Sequence, residues 1–280
     1  MSGTRKSYEV VPSWLWLESA LNLRDVGGLP VVAGGYIRPK TLLRSGSLRQ
    51  LSAADAATLI SEFGLHTVVD LRTPGELAAD GPSALARAGI ATMHLPLVAD
   101  VEEALRRVRG GVDAVPTMTL VYQEFLGRRG EHLVTVARLV AWRRTGSVLV
   151  HCAAGKDRTG VATAILLDAV GADRAAVIAD YVASNEVIEH VLATLVGFRG
   201  NALALSAIPL ALRMAQPEAM RAILDQLDRD YGGAAGWLCS RGLDPAELEL
   251  LRRRLVRLSS EPNGGEPEPG RLPHGHDNGQ

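Results

Sequence analysis

Residues 147–170 read SVLVHCAAGKDRTGVATAILLDAV, and this stretch decides the fold. Its first four residues form a short apolar run rich in β-branched side chains, which is typical of a buried strand. The run that begins at Val161 has the length and apolar content of a helix. Residues 151–160 therefore form a strand-to-helix turn.

The same alternation of short apolar runs and amphipathic stretches recurs along the chain, which predicts an α/β fold. One helix has a complete signature, with Ser52 as N-cap, Asp55 at its third position and Gly64 after its end. The predicted strands are residues 41–43, 67–71, 92–97 and 147–151, and the predicted helices are residues 52–63, 131–144, 161–170, 217–231 and 245–258.

The composition describes a soluble globular chain. It has 280 residues, of which 47% are hydrophobic and 22% charged, so a disordered or fibrous protein is excluded. The formal net charge of -1 gives no global reason to bind nucleic acid or an anionic membrane. Cys152 and Cys239 are the only cysteines, and they form no close-spaced pair, so no disulfide framework or zinc site is expected.

The N-terminal stretch is not expected to be a secretory signal, and the C-terminal stretch is expected to be a tail. The first residues, with Glu9, Pro12 and Glu18, do not resemble a secretory signal, and no transmembrane helix is predicted. The expected location is the cytoplasm, with signal-independent secretion left open. Residues 259–280 are rich in Pro, Gly and Glu and predict a disordered tail.

The strand-to-helix turn is suited to an oxyanion. Its backbone N–H groups converge, and the following helix adds its positive N-terminal end, so phosphate is the expected ligand. A Walker-type nucleotide loop is excluded because Asp157 stands where Ser or Thr is needed after Lys156. What remains is a nucleophile, Cys152, at the floor of the loop, and Arg158, whose planar fork closes over two phosphoryl oxygens.

The candidate phosphate binders in the loop are Ala153, Ala154, Gly155, Lys156 and Thr159. The positive charges favour the thiolate of Cys152, and the Thr159 hydroxyl is expected to donate to it. Lys156 is either an additional charge for the phosphate or a contact for polyanionic headgroups.

Two neighbours of these residues have supporting roles. His151 is expected to orient the loop or to be a plain core residue, since its side chain points away from that of Cys152. Gly160 is expected to let the loop pack close to its helix.

The motif HCxxGKDRTG resembles the signature of the cysteine-dependent protein tyrosine phosphatase superfamily, in its bacterial tyrosine and phosphoinositide phosphatase branch. Other stretches of the chain resemble that branch as well, and the resemblance covers residues 21–258. These stretches are NLRDVGG at 22–28, Arg44-Ser45, VDLR at 69–72, ADYVASN at 179–185 and Tyr231-Gly232-Gly233.

The resemblance implies one phosphatase domain over residues 1–258, with a central, mainly parallel sheet flanked by helices and a helical lid at about residues 186–215. It implies hydrolysis of phosphotyrosine, and also of phosphoserine, phosphothreonine and phosphoinositides, through a phosphocysteine and without metal or cofactor. A catalytically silent module that reads phosphorylated partners is the alternative. The intact pair of Cys152 and Arg158 argues against it, since a binder needs no nucleophile.

Polar residues outside the loop are expected to support it. Asn22, Arg24 and Asp25 end an apolar entry segment and are candidates to brace the loop. Arg44 and Arg72 each follow a predicted strand, at the end where α/β sheets bind ligands, and are expected at the pocket rim.

Three carboxylates are candidates for the general acid. Asp157 lies in the loop, Asp100 follows the third predicted strand, and Asp70 ends the strand before it. The positive neighbours of Asp157 favour its ionised form, but its proximity favours the assignment. Asp70 has a second possible role, which is to orient Arg158 or the loop.

The stretch from residue 200 to residue 214 is too apolar for an exposed loop, and Pro209 interrupts it as one helix. It is interpreted as a hinged cover over Cys152. The alternative is a pair of short core helices.

Overall fold

The computed structural model describes residues 11–98, 113–142, 145–199 and 210–260. Asp100, most of the interpreted cover and residues 261–280 lie outside them.

Within these residues, a six-stranded sheet runs in the order β1-β2-β4-β7-β5-β6, and β3 pairs with β8 in a separate two-stranded sheet. The four strands β4, β7, β5 and β6 are parallel, whereas β1 and β2 form an antiparallel edge. The strands are β1 Ser13–Trp14, β2 Arg24–Asp25, β3 Tyr36–Ile37, β4 Leu42–Ser45, β5 Leu65–Asp70, β6 Ala91–His94, β7 Ser147–His151 and β8 Val256–Arg257.

Helices cover both faces of the large sheet. The helices are α1 Ala53–Phe63, α2 Pro74–Asp80, α3 Ala84–Arg87, α4 Ala114–Trp142, α5 Asp157–Ala169, α6 Arg174–Ala183, α7 Ile188–Arg199, α8 Leu210–Arg213, α9 Pro217–Tyr231, α10 Ala234–Ser240 and α11 Pro245–Leu255, with a 3-10 turn at Ser184–Glu186.

Alternating side chains of the central strand β7 pack into two different apolar clusters, one on each face of the sheet. Val148 and Val150 belong to the larger apolar cluster with α4 and α5, whereas Leu149 belongs to the smaller cluster with α1 and α3. A strand buried on both faces reads as a continuous apolar run, as SVLV does. The predicted α/β class, with a mainly parallel sheet flanked by helices, is confirmed.

The parallel register brings three strand ends together at one edge of the sheet. His151 pairs with Ser45 of β4 on one side and with Asp70 of β5 on the other. The loop that follows His151 therefore starts between the ends of β4 and β5, which is where an open α/β sheet places its ligand.

Most predicted elements are present, with shifted ends. Ser52 accepts from Asp55 N and Gly64 takes a left-handed φ of 58°, so the predicted helix signature is confirmed. The helix predicted at residues 131–144 is the second half of α4, which begins at Ala114 and has a kink at Arg129. The antiparallel strands β1 and β2 escaped prediction because a two-residue strand leaves no alternating pattern.

Among the described residues, no helix combines the length and the apolar character that a membrane span requires.

Candidate active site

The carbonyl groups of the loop are held from behind by side chains of the sheet edge. Asn22 Nδ2 donates to the carbonyl of Ala154 at 2.9 Å. Arg44 Nη2 donates to the carbonyl of Gly155, also at 2.9 Å. Both donors come from the N-terminal part of the large sheet and its entry segment, so this part of the fold sets the shape of the loop.

The two preceding carbonyls are bound in the same way. Ser47 N donates to the carbonyl of Ala153 at 2.7 Å, and His151 Nδ1 lies 3.3 Å from the carbonyl of Cys152. Four successive carbonyls, those of residues 152–155, are thus bonded to groups outside the anion cradle.

This arrangement decides where the amide N–H groups point. In a planar trans peptide the C=O and the following N–H point in opposite directions. With the carbonyls of residues 152–155 turned to three side chains and the Ser47 amide, the N–H groups of residues 153–156 are turned away from them, as an oxyanion cradle requires.

Gly155 is the turn that makes the loop possible. Its φ is +70°, and a Cβ atom there would lie 2.6 Å from both Gly46 N and Ser45 C. Any side chain would collide with backbone atoms, so only glycine fits.

Cys152 lies at the floor of the loop, where 2% of its surface is exposed. The loop leads into α5, which begins at Asp157. The first turn of α5, which contains Arg158, therefore comes directly after the loop that contains Cys152.

Arg158 is held by a carboxylate that sequence reasoning missed. Its Nη1 and Nη2 donate to Glu76 Oε2 and Oε1 at 2.5 and 3.0 Å, and both residues are buried. Burial alone would lower the pKa of Arg158, but the negative charges of Cys152 and Glu76 outweigh it and raise that pKa. Since a guanidinium has five N–H donors, donors remain for phosphate oxygens.

Glu76 owes its position to a local sequence signal. It is the third residue of α2, and Thr73 and Glu76 form a capping box in which each side chain binds the other's backbone N–H. The pattern Thr73-x-x-Glu76 predicts such a helix start, but nothing in it indicates that the carboxylate also reaches Arg158.

Behind the loop lies a buried cluster of two arginines and one carboxylate. Asp180 of α6 accepts from Arg24 Nε at 2.8 Å and from Arg44 Nη1 at 2.5 Å, and both arginines are 0% exposed. Burial and the neighbouring Arg44 lower the pKa of Arg24 to about 10. The expectation that Arg44 lines the pocket rim is wrong, because its guanidinium points into this cluster and to the back of the loop.

Arg24 supports the loop indirectly, whereas Asp25 does not support it. Arg24 Nη1 donates to Asn22 Oδ1 at 2.5 Å and so orients the amide that holds the loop. Asp25 accepts instead from Gly27 N at 2.8 Å and Lys40 N at 2.6 Å, which fixes a neighbouring turn and not the loop.

Arg72 is also buried rather than at the rim. Its Nε and Nη2 donate to Asp70, at 3.0 and 2.7 Å, and its Nη1 donates to Asp80. Asp70 therefore orients Arg72 and not Arg158. Burial raises the pKa of Asp70, but His151 and Arg72 more than offset this and lower it, so Asp70 stays ionised and does not suit a general acid.

His151 is neutral in this setting. It is buried, with Nε2 at 3.6 Å from Asp70 Oδ2, and burial lowers its pKa to about 4 despite that carboxylate. A neutral imidazole between the loop and Asp70 fits an orienting role.

Three other loop residues make contacts that the sequence does not reveal. Thr159 Oγ1 donates to the carbonyl of Ser45 at 3.5 Å, so its expected bond to the sulfur is not made. A Cβ atom on Gly160 would lie 2.7 Å from the ring of Tyr181, so the absence of a side chain lets α6 pack against the start of α5.

Lys156, the third of these loop residues, has a side chain that is only 4% exposed. Its Nζ donates to the carbonyls of Leu212, Arg213 and Met214, at 3.1, 2.6 and 3.4 Å. The expectation that it contacts substrate does not hold here, because its charge is occupied by the end of α8.

Asp157 is the candidate acid that lies at the loop. Its side chain is 29% exposed, Tyr122 Oη donates to its Oδ1 at 2.7 Å, and its Oδ2 lies 3.4 Å from Lys156 Nζ. The carboxylate is therefore oriented on one side and partly open on the other. Within the described ranges, no group of three His, Cys, Asp or Glu residues is arranged to hold a metal ion.

Sequence comparison finds phosphatases among the proteins similar to this chain. The chain is 30% identical over 278 residues to triple specificity protein phosphatase PtpB of Mycobacterium tuberculosis, covering 86% of this chain and 98% of that protein. It is 29% identical over 237 residues to a tyrosine-protein phosphatase of Nostoc commune, covering 81% and 78% of the two chains. A solved structure of P. aeruginosa TpbA in complex with pTyr shares 22% identity at a TM-score of 0.34, over 63% of this chain and 92% of that one.

One protein family matches nearly all of the described residues. A model of the tyrosine phosphatase family matches residues 15–257, from just after the first strand of the large sheet to the end of the last strand of the small one. The chain belongs to the tyrosine phosphatase family, and the phosphatase activity that its loop predicts is confirmed by this membership.

Proposed function

We propose that the protein removes phosphate from phosphotyrosine through a phosphocysteine at Cys152, with Arg158 as the phosphate clamp and Asp157 as the general acid. The observation that carries this proposal is the orientation of the loop. Four carbonyls are bound from behind, so the amides face the cradle above Cys152.

The first step transfers the phosphoryl group to sulfur. The thiolate of Cys152 attacks phosphorus, the S–P bond forms, and the P–O bond to the leaving group breaks with its electron pair on oxygen. That oxygen takes the proton of Asp157. The amides of residues 153–156 and the guanidinium of Arg158 hold the phosphoryl oxygens as their charge redistributes.

The second step regenerates the enzyme. Water gives its proton to the Asp157 carboxylate while its oxygen bonds to phosphorus, and the S–P bond breaks with its electrons returning to sulfur. The product is inorganic phosphate, and Cys152 is a thiolate again.

Glu76 takes part by holding Arg158 in place. Its bidentate hydrogen bonds fix the plane of the guanidinium before substrate arrives, which lowers the entropy lost on binding. Burial of both groups strengthens this effect, since a dry ion pair does not reorient freely.

The leaving group argues for phosphotyrosine as the preferred substrate. A phenol, with a pKa of about 10, leaves more readily than an alkyl alcohol, so a partly exposed acid such as Asp157 is sufficient. The likeness to a phosphatase named for triple specificity supports additional phosphoserine, phosphothreonine and phosphoinositide substrates. Lys156 adds little support for a lipid headgroup, because its ammonium binds three backbone carbonyls.

A substrate panel tests the proposal. Purified protein with a chelator present should hydrolyse a phosphotyrosine peptide faster than matched phosphoserine and phosphothreonine peptides or a short-chain phosphoinositide. Release of phosphate from each is measured under the same conditions. Lack of turnover of the phosphotyrosine peptide in folded protein would favour the phosphate-reading module instead.

The acid assignment has its own test. Asp157→Asn should lower kcat on phenyl phosphate by about 10²-fold, with a smaller loss on p-nitrophenyl phosphate, whose leaving group needs no proton. Asp100→Asn is the matched control and should be mild on both substrates. A larger loss in the Asp100 variant would transfer the role to that residue.

A further inference from the structure

Two buried tyrosines connect Asp157 to a distant part of the chain. Tyr122 of α4 and Tyr181 of α6 are both 0% exposed, and their hydroxyl oxygens lie 2.5 Å apart. Tyr122 Oη also donates to Asp157 Oδ1 at 2.7 Å, and Gln216 N donates to Tyr181 Oη at 3.0 Å.

The hydrogen bond between the two phenols could have either oxygen as its donor, and the neighbouring bond sets its direction. Tyr122 has one proton, which it donates to Asp157 Oδ1, so Tyr181 donates to Tyr122. A backbone amide only donates, so Tyr181 accepts from Gln216 and has its own proton available for Tyr122. Tyr122 in turn gives its proton to Asp157 Oδ1. All three donors are therefore oriented toward the carboxylate, and such chains polarise one another.

The tyrosine pair is rigid. The two rings meet edge to face, with centroids 6.2 Å apart and an interplanar angle of 88°. The ring of Tyr181 also packs on Gly160 in the first turn of α5, where a Cβ atom would lie 2.7 Å from it. Burial first, and then the charge of Asp157, raises the pKa of both phenols, so both stay protonated as donors.

We propose that Tyr122, held by Tyr181, is a positioning residue that engages Oδ1 of Asp157 and leaves Oδ2 as the oxygen that carries the catalytic proton. This inference rests on the proposed role of Asp157 as the general acid. Tyr122 keeps its own proton throughout, so the proton balance of the two steps is unchanged.

The position of Oδ2 agrees with this role. The Asp157 side chain is 29% exposed, whereas Tyr122 is buried. Oδ2 lies 3.4 Å from Lys156 Nζ, but that ammonium donates its hydrogen bonds to the carbonyls of residues 212–214. Oδ2 is therefore the oxygen of Asp157 that no described hydrogen bond engages, and we infer that it faces the leaving group. An acid that rotates freely about its last bond presents either oxygen and loses rate through misorientation.

Tyr122→Phe tests the proposal because it removes one oxygen atom and keeps the ring. We expect kcat/KM on phenyl phosphate to fall about tenfold, and kcat/KM on p-nitrophenyl phosphate to stay within about twofold of the wild type. Tyr181→Phe should also lower kcat/KM on phenyl phosphate, but by less, because Tyr122 still donates to Asp157. Tyr36→Phe, on the partly exposed strand β3, is the matched control and should change neither value.

A double-mutant cycle separates positioning from a general structural effect. In an Asp157→Asn background, Tyr122→Phe should cause no further loss on phenyl phosphate, because the proton to be positioned is gone. Thermal unfolding of each variant checks the fold. If Tyr122→Phe does not fold, the same cycle is run with Tyr181→Phe.

Several results would overturn the inference. An equal loss on both substrates, a loss that persists in the Asp157→Asn background, or full activity of Tyr122→Phe on phenyl phosphate each contradicts positioning. If Asp157→Asn lowered the rates on phenyl phosphate and on p-nitrophenyl phosphate equally, both the acid assignment and this inference would be overturned. Turnover in a Cys152→Ser variant would instead refute the proposed function, so the two failures are distinguishable.

Discussion

Cys152→Ser should lose at least about 10⁴-fold in kcat on aryl phosphates. A serine hydroxyl is a much weaker nucleophile than a cysteine sulfur, so transfer of the phosphoryl group to this side chain should be blocked. The loop carbonyls remain bound to the sheet edge, so the variant should still bind inorganic phosphate. Phosphate release and phosphate binding are measured on the same preparation.

Cys239→Ser is the matched control for this variant. Cys239 is partly buried against the larger apolar cluster and lies outside residues 151–160, which form the loop. Its replacement should leave kcat within about twofold of the wild type. Residual activity of Cys152→Ser within tenfold of the wild type would exclude Cys152 as the nucleophile.

The second large effect is expected from Asp180→Asn. Asp180 is the carboxylate that binds both Arg24 and Arg44, and all three side chains are buried. Removal of the negative charge leaves two arginines facing each other without compensation, which typically costs about 3–5 kcal/mol. For a chain of this size, we expect the thermal midpoint to fall by about 10 °C or more.

An exposed ion pair provides the comparison. Asp228 pairs with Arg174 at the surface, where its side chain is 48% exposed, so Asp228→Asn should cost less than about 1 kcal/mol. Thermal unfolding of both variants is measured in the same buffer. Equal shifts would show that burial does not decide the strength of the Asp180 cluster.

Asp180→Asn should also slow catalysis. Arg44 holds the carbonyl of Gly155, and Arg24 orients Asn22, which holds the carbonyl of Ala154. Without the Asp180 carboxylate, Arg44 and Arg24 are held less firmly, and so are the two loop carbonyls that they support. Thermal stability and kcat should therefore fall together. This links a stability cluster to the shape of the anion cradle.

Much of the site is local in sequence. The strand, the turn and the helix that form the cradle are contiguous, and the types of residue in it predict a nucleophile and a clamp. The sequence also places Arg44, Asp70 and Arg72 at the correct edge of the sheet, since parallel strands end together.

Position along a strand, however, does not determine where a long side chain goes. Arg44 and Arg72 were expected at the rim because each follows a predicted strand, at the end where α/β sheets bind ligands. Each is buried instead, because carboxylates compensate its charge: Asp180 of α6 for Arg44, and both the nearby Asp70 and Asp80 of α2 for Arg72.

The contacts that align the catalytic groups depend on tertiary structure. Glu76 and Arg158 are 82 residues apart, Asp180 and Arg24 are 156 apart, and Tyr122 and Asp157 are 35 apart. A capping box places Glu76 at a helix start, and the stretch ADYVASN contains Asp180, yet neither pattern specifies a partner. The sequence by itself determined the loop, because its chemistry and backbone lie within ten consecutive residues. Only the packing of α2, α4 and α6 around that loop decided which side chains hold it, because a hydrogen bond between distant residues forms only where the folded backbone brings its two atoms within reach.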